Sequence, residues 1–570
     1  MSGKKQKSKN LFIQGTILAL AGILTKVIGF AYRIPMVNLM GSDGNGIYSV
    51  AFSIYNIVLM LSSYSLPLAV SKLVSARLAM KQYNNSYRVF KDAMRFALVV
   101  STVGALFLYF GSGFLADMYA MPELVRPLKV LAPTLFVVGI IGVMRGYFQG
   151  AGTMIPTALS QIIEQILNAI VSIGAVWFCM SRIAGSAGPI PKDFESAAVG
   201  VHGVISQGLS VQGASYGAAG GTTGTLAGAG IALLFLAFTY TIYKPAILRR
   251  NARDGWGLTE SDGQIYKALL ATVIPVIISQ TVYQIGYVID GLIFSNIMNI
   301  KGMESSVRKS LQGVFNSQYT LLINVPIAVA TAMAASSIPS IVTSFTIGKT
   351  KEVNKKIGSI IKFVMAIAFP SAVGLAVLAT PISRVLFSGL GKYNMIGANL
   401  LHFGTISIVF YSLSTITSAI LQGLDHMNVP VRNSAISLVI HLLLMVSLLY
   451  FTDLNVYALL IGDVTFPMLI SILNWLSVKK YVGYRQEVAK TFLMPLVSSL
   501  VMGVATFIIY NGVVAVVGNM IIGMGLAVIV AVVVYFVMIL SLRCFEKEEL
   551  YDLPMGGRLV TLGKKMGFYH

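Results

Sequence analysis

Acidic residues are scarce in this chain: 21 Asp and Glu stand against 42 Lys and Arg, and all charged residues together make up 11% of the sequence. Cysteine is scarcer still, with two residues, and histidine has five. No group of His and Cys has the spacing of a zinc site. No Gly-x-x-x-x-Gly-Lys-Ser/Thr loop is present, which excludes an ATPase engine of that type. No Asp-x-Asp pair is available to hold a metal–nucleotide sugar. Connections between hydrophobic runs are too short for a catalytic domain, so the chain is not expected to be an enzyme, and no cofactor is expected. Cys179 and Cys544 fall near opposite faces of the topology below, which rules out a disulfide between them.

What is abundant is apolar. Hydrophobic residues are 56% of 570, and the mean hydropathy is +0.78. A membrane-spanning helix needs about 20 predominantly apolar residues. Fourteen runs meet that need: 11–38, 46–70, 91–113, 127–149, 155–180, 223–245, 267–298, 314–344, 358–380, 396–422, 430–451, 455–477, 491–512 and 517–542. The first run is too long and too charged for a cleaved signal peptide. The expected fold is an all-α polytopic membrane protein.

A net charge of +21 raises nucleic acid as a partner, but the distribution of the bases excludes it. They gather in alternate connections: Lys4 to Lys9 before the first run, Lys72 to Arg95 after the second, Lys244 to Arg253 after the sixth. The alternation continues through Lys349 to Lys356, Arg432 and Lys479 to Arg485, and ends in Arg558, Lys564 and Lys565. The positive-inside rule then places both termini in the cytoplasm of a multi-pass plasma-membrane protein. That placement requires an even number of spans, which fourteen satisfies.

An internal repeat is legible. Ser65-Leu66-Pro67-Leu68-Ala69-Val70 matches Asn324-Val325-Pro326-Ile327-Ala328-Val329, and Gln149-Gly150 with Met154 and Pro156 matches Gln422-Gly423 with Met427 and Pro430. Two parallel six-helix lobes are expected, residues 1–255 and 256–485, followed by two helices and a basic tail over 486–570. Gly220, Gly224 and Gly228 lie four apart and read as a close packing face leading into the sixth helix rather than a nucleotide loop.

Polar residues inside the runs are the candidate site. In the first helix, Gly15, Gly22, Lys26, Gly29 and Arg33 recur at helical spacing, which gives one small, cationic face. A cation at bilayer depth costs at least about 2.5–3.5 kcal/mol, so it ordinarily faces a polar cavity. Snorkelling to the headgroups is the competing reading for Arg33. The fifth helix carries Gln161, Glu164, Gln165 and Asn168 on one face; a network that only joins helices is the alternative to a binding role. Glu164 is expected as a counter-ion of Lys26 or a protonatable coupling group. The seventh helix carries Gln280, Tyr283, Gln284, Tyr287 and Asp290, with Asp290 placed to pair with Arg33. Asn56 and Asn324 add neutral donors. Arg145, at the end of the fourth helix, reads either as a contact for an entering phosphate or as a positive-inside anchor. His441 and Asp463 are isolated intramembrane polar residues and are read as structural. Two cations on one face favour an anionic substrate. A cation-coupled exporter of small amphipathic drugs is the alternative, and it predicts a cavity dominated by acids.

Thr25-Lys26-Val27-Ile28-Gly29-Phe30-Ala31-Tyr32-Arg33, followed by Met40-Gly41-Ser42-Asp43-Gly44 and Tyr48-Ser49-Val50-Ala51-Phe52, resembles the start of lipid II flippases of the MurJ type. Arg145-Gly146-Tyr147-Phe148-Gln149-Gly150, then Met154 to Thr157 and Gln161 to Gln165, resembles the stage V sporulation protein B branch. Both are branches of the multidrug/oligosaccharidyl-lipid/polysaccharide exporter superfamily. The resemblance spans the chain and implies a two-lobed transporter with a central cationic cavity. It further implies an undecaprenyl-pyrophosphate-linked saccharide as substrate, membrane lipids and cell-wall synthesis proteins as partners, and a monovalent cation or the membrane potential as drive. Lys26 matches a cavity cation of the flippases, and Arg33 lies one position from their second arginine. Leu59 and Met60 stand where those proteins carry paired arginines; Leu321 and Asn324 stand where they carry an arginine and a glutamate.

Overall fold

The computed structural model describes residues 2–185, 211–252, 254, 259–346, 348–546 and 549. Within them it is all-helical. Of the long connection expected between the fifth and sixth runs, about residues 182–222, the stretch 186–210 lies outside the described residues, as does the basic tail with Arg558, Lys564 and Lys565. So do the side chains of Gln280 and Tyr283.

By contacts the chain forms two compact units, Met1–Gly313 with Gly389–Gly391, and Val314–Ser388 with Lys392–His570. The first unit contains α1 (Ser2–Leu59), α2 (Leu66–Ala79), α3 (Tyr83–Phe110), α4 (Ser112–Met118), α5 (Val125–Gly150), α6 (Ile155–Gly185), α7 (Val211–Asn251), α8 (Asp262–Ile300) and most of α9 (Ser305–Val314). The second contains α10 (Thr320–Thr346), α11 (Thr350–Val377), α12 (Ala379–Leu386), α13 (Asn394–Gly404), α14 (Ser407–Gly423), α15 (Asn428–Phe451), α16 (Val456–Val482), α17 (Met494–Val517) and α18 (Met520–Ser541).

Every one of the fourteen hydrophobic runs is helical. Ten helices, and one pair bent by 54°, are long and apolar enough to cross a membrane among the described residues. The first of these, Leu20–Ala79, contains the second run and most of the first. The bent pair is α13 and α14, and the runs at 267–298 and 314–344 fold as α8 and as α9 with α10. The chain is a multi-pass membrane protein.

Some boundaries differ from the sequence expectation for identifiable reasons. The first two runs are joined by no loop. α1 passes through a single non-helical residue, Gly41, at φ 68°. That conformation is disfavoured for residues with a Cβ, and glycine adopts it freely. α8 begins at Asp262, before the expected residue 267, because Ser261 and Gln264 form a capping box: the Gln264 N–H donates to Ser261 Oγ at 3.3 Å and the Ser261 N–H to Gln264 Oε1 at 2.9 Å. π-Helical turns occupy Met60–Tyr64 and Phe315–Tyr319, in each case shortly before the repeated Pro motif. Pro67 has no N–H to give the carbonyl of residue 63, which lies inside the first of these turns.

The sequence division falls at 255/256, whereas α8 clusters with the first unit. Arg77 donates to Glu260 from Nε at 3.0 Å, Asn85 Oδ1 accepts the Glu260 N–H at 3.0 Å, and Arg88 pairs with Asp262. At the far end of α8, Ser295 accepts Arg308 Nη1 at its carbonyl, 2.9 Å away. Lys309, fully buried, pairs with buried Glu123 at 2.9 Å. Two apolar cores fill the unit. One gathers Tyr32, Met36, Tyr48 and Tyr55 with Leu128 and Leu135; the other gathers Val70, Phe90 and Tyr147 with Leu236 and Leu269. In the second unit, Ala366, Met502, Tyr535, Ile539 and Cys544 form a core beneath the last two helices. Just beyond α18, Lys490 donates to Glu546 at 3.1 Å and holds that carboxyl below its usual range. Cys179 and Cys544 are both free thiols.

α7 begins at Val211, 12 residues before the expected 223, and carries the glycine stripe against α6. A Cβ at Gly220 would stand 3.0 Å from the Ala175 carbonyl oxygen, and one at Gly228 would stand 2.5 Å from that of Glu164. At Gly224 it would collide with Ser172 and Asn168. The stripe thus packs backbone on backbone, as read from its spacing. Gly224→Ala and Gly228→Ala should each lower stability by about 1–3 kcal/mol, the scale of overpacking, while Gly230→Ala, which faces open space, should not. Thermal unfolding of the three purified variants checks this. Lys309→Met should cost about 3–5 kcal/mol by leaving Glu123 buried without a cation, with Lys309→Met/Glu123→Leu recovering most of it in the same assay.

Candidate functional site

On a helix that advances about 100° per residue, Gly22, Lys26, Gly29 and Arg33 fall within about 60° of one another. Leu20, Ile23, Leu24 and Val27 are exposed and centre roughly 140° away. Lys26 is exposed too. α1 therefore shows an open apolar face suited to lipid and, on a separate and otherwise half-buried face, the exposed Lys26. The Lys26 ammonium has no hydrogen-bond or carboxylate partner among the described residues.

The cationic face meets α6. A Cβ at Gly29 would lie 3.8 Å from Gln165 Oε1, ordinary van der Waals contact, which places Gln165 beside this face. Three residues on, Tyr32 is buried, and its hydroxyl accepts from Asn168 Nδ2 at 3.4 Å. Asn168 Oδ1 in turn accepts from Ser172 Oγ at 3.0 Å, which anchors the amide. Gln161, Glu164 and Gln165 are half-buried. The Gly41 kink folds the second segment of α1 back beside the first. Arg33 consequently lies over two rings of that segment, with its guanidinium carbon 5.9 Å from the Tyr48 centroid and 5.5 Å from that of Phe52. These rings stack on each other at 5.6 Å. Asn56, one turn beyond Phe52, is half-buried.

Arg145 enters the same polar region from α5. Its Nη2 pairs with Glu164 Oε2 at 2.6 Å and its Nε donates to Ser160 Oγ at 2.9 Å. Glu164 was expected opposite Lys26; the structure gives it Arg145 instead. α5 and α6 are joined only by residues 151–154, so they run antiparallel side by side. At about 1.5 Å per residue, Arg145 and Glu164 stand about 6 Å apart in height, within reach of an arginine side chain. Tyr55 lies within electrostatic range of Glu164. Gln284 is exposed and Asp290 half-buried on α8, near the level where Tyr119 OH donates to the Val288 carbonyl at 2.8 Å.

The structure thus gathers Gln165, Asn168, Glu164 and Arg145 around α1, α5 and α6, with Lys26 three residues before the Gly29 that stands beside Gln165. Two features escape sequence reading. One is the Tyr48–Phe52 platform for Arg33, whose only signal is a pair of rings four residues apart. The other lies in the second unit. Asp463, read as isolated, is buried and accepts from Tyr319 OH at 2.7 Å and Tyr411 OH at 2.8 Å. The Tyr319 hydroxyl also lies 3.0 Å from the Gly404 carbonyl, at the break between α13 and α14, where its one proton is shared with the closer Asp463. That hydroxyl serves a helix-end carbonyl that the interrupted helix leaves open. His441 is buried with its ring 5.5 Å from Phe466.

The described residues form an all-helical, multi-pass membrane fold that carries an exposed cation on its first helix. The solved inward-closed conformation of lipid II flippase MurJ has the same fold, with a TM-score of 0.62 at 14% identity, covering 92% of this chain and 98% of that one. An inward-facing multidrug resistance MATE family transporter of the MOP superfamily also scores 0.62, at 15% identity over 80% of this chain and 94% of that one. Residues 13–188 match the family model for polysaccharide biosynthesis protein. Among characterised sequences the chain is similar to lipid II flippase MurJ of Bacillus subtilis (strain 168), 25% identical over 87% of this chain and 88% of the relative. It is also similar to stage V sporulation protein B of the same organism, 22% identical over 97% and 99%. The resemblance read from Thr25–Arg33 and Arg145–Gln165 therefore extends along the chain.

If Lys26 faces water and Ile23 faces lipid, Lys26→Cys should react with a membrane-impermeant thiol reagent applied to both faces of open membranes. Ile23→Cys should react at least about tenfold more slowly, because thiolate formation requires water. Labelling is read by mass shift after substituting Cys179 and Cys544.

Proposed function

We propose that this protein moves a lipid-linked saccharide, joined through an undecaprenyl pyrophosphate, from the inner to the outer leaflet of the plasma membrane. The observation that carries the reading is the exposed, unpartnered Lys26 on a face of α1 distinct from its apolar face. An unpaired ammonium at membrane depth is costly, and an anionic headgroup offsets that cost. The printed names of two relatives, a lipid II flippase and a sporulation protein, support lipid II or a related wall precursor. In this reading Lys26 and Arg33 hold the pyrophosphate. Gln161, Gln165, Asn168, Asn56 and Gln284 meet the sugar, and the prenyl tail stays in lipid.

Both termini are cytoplasmic, and the two repeats rock in alternating access. With no nucleotide engine in the sequence, a gradient drives the step. One net negative charge moving outward across an inside-negative membrane gains about 2.3 kcal/mol per 100 mV. A monovalent cation coupled through Glu164 or Asp290 is the other route. Cell-wall synthesis proteins are the partners this reading implies.

Depletion should cause lipid-linked precursors to accumulate on the cytoplasmic side, measured by extraction and mass spectrometry. Lys26→Ala should fail to restore normal levels while still inserting in the membrane. Normal precursor levels on depletion, together with altered efflux of amphipathic drugs, would overturn the reading in favour of a drug exporter.

A further inference from the structure

Arg145 is the third cation of this polar region, and it is already occupied. Its contact with Glu164 is single-toothed: Nη2 meets Oε2, while Arg145 Nη1 and Glu164 Oε1 have no partner among the described residues. Arginine–carboxylate pairs built for permanence are commonly two-toothed forks. The side chains are 14% and 20% exposed, so the pair is open to its surroundings rather than sealed. Its neighbours on the same face of α6, Gln161 and Gln165, are half-buried, and Gln165 leads directly to Gly29 and the Lys26 face. Gly228 packs beneath the Glu164 backbone and fixes where the carboxylate starts. Among the described residues, Arg145 on α5 pairs with Glu164 and Tyr55 on the second segment of α1 lies within electrostatic range of it. The facing stretch of α7, residues 221–235, has no charged or titratable group.

We propose that Glu164 is a built-in surrogate anion: it occupies Arg145 until the phosphate of the substrate displaces it, so that Arg145 becomes a phosphate ligand only once substrate has entered. This rests on the pyrophosphate reading above and adds to it an exchange of partners. The geometry favours exchange because Arg145 retains a second anchor. Its Nε bond to Ser160 Oγ keeps the guanidinium in place when the carboxylate leaves. A phosphate can take Nη1 and Nη2 together, in the two-toothed geometry that Glu164 does not use.

The test is binding of farnesyl pyrophosphate to the purified full-length protein, measured by titration calorimetry. Glu164→Gln should bind roughly tenfold more tightly than the unaltered chain, the scale of one charge-assisted hydrogen bond no longer in competition. Glu164→Asp, too short to reach Arg145, should tighten binding in the same direction and serves if the amide variant fails to fold. Arg145→Gln should weaken binding, and Glu164→Gln placed in that background should bring no gain. A gain that persists without Arg145 would show that Glu164 merely repels the anion, and the exchange would be wrong. Unchanged or weaker binding by both Glu164 variants would also overturn it. Lys26→Ala separates the two levels. If the unaltered chain does not bind the probe, or binds it equally well without Lys26, the pyrophosphate reading itself fails. If binding needs Lys26 but is indifferent to Glu164, only the exchange fails.

Discussion

The close approach of α6 and α7 along Gly220, Gly224 and Gly228 sets the position of the α6 backbone that carries Glu164, Asn168 and Ser172. In a membrane, helices gain little from hydrophobic association with one another, so association depends on packing and hydrogen bonds. Three glycines remove the side chains that would hold the two axes apart. The α6 face bearing Glu164 and Asn168 is then pressed toward α1 and α5. Ser172, held to the Gly221 carbonyl at 2.9 Å, ties Asn168 to this contact, and Asn168 ties Tyr32. A chain of small residues and hydrogen bonds therefore links the glycine stripe to Tyr32 of α1.

Much of this arrangement is legible in the sequence, because apolar run length and helical spacing are local properties. The fourteen runs, the glycine stripe, the shared face of Lys26 and Arg33 and the shared face of Gln161 to Asn168 all follow from counting residues. What escapes is partner choice. Glu164 has cations on two helices within a plausible distance, and spacing alone cannot tell which one the antiparallel α5–α6 pair brings level with it. Asp463 fails for the same reason. Its donors Tyr319 and Tyr411 are 144 and 52 residues away and leave no local mark. The capping box at Ser261, by contrast, is a four-residue pattern that sequence could have supplied.

The charges divide by the way they are satisfied. Lys309 and Glu123 satisfy each other in full burial, which fixes structure and leaves nothing over. Arg33 rests on two aromatic faces, whose attraction for a cation spares it a carboxylate partner. Arg145 is held at one edge, and Lys26 by no partner among the described residues. This is a gradation from closed to open among these charges of the first unit. It distinguishes groups that assemble the protein from groups available to something passing through it.

The single-residue break at Gly41 has a mechanical consequence. A loop between two helices absorbs relative motion in its own slack, but an elbow of one residue has almost none to give. Tilt of the segment carrying Lys26 and Arg33 is transmitted to the segment carrying Tyr48, Phe52 and Asn56, much as one arm of a bell-crank turns the other. Because Arg33 lies on the rings of that second arm, any turn of the arms about Gly41 slides a cation across an aromatic surface, while Asn45 Nδ2, bonded to the Val37 and Gly41 carbonyls, braces the elbow itself.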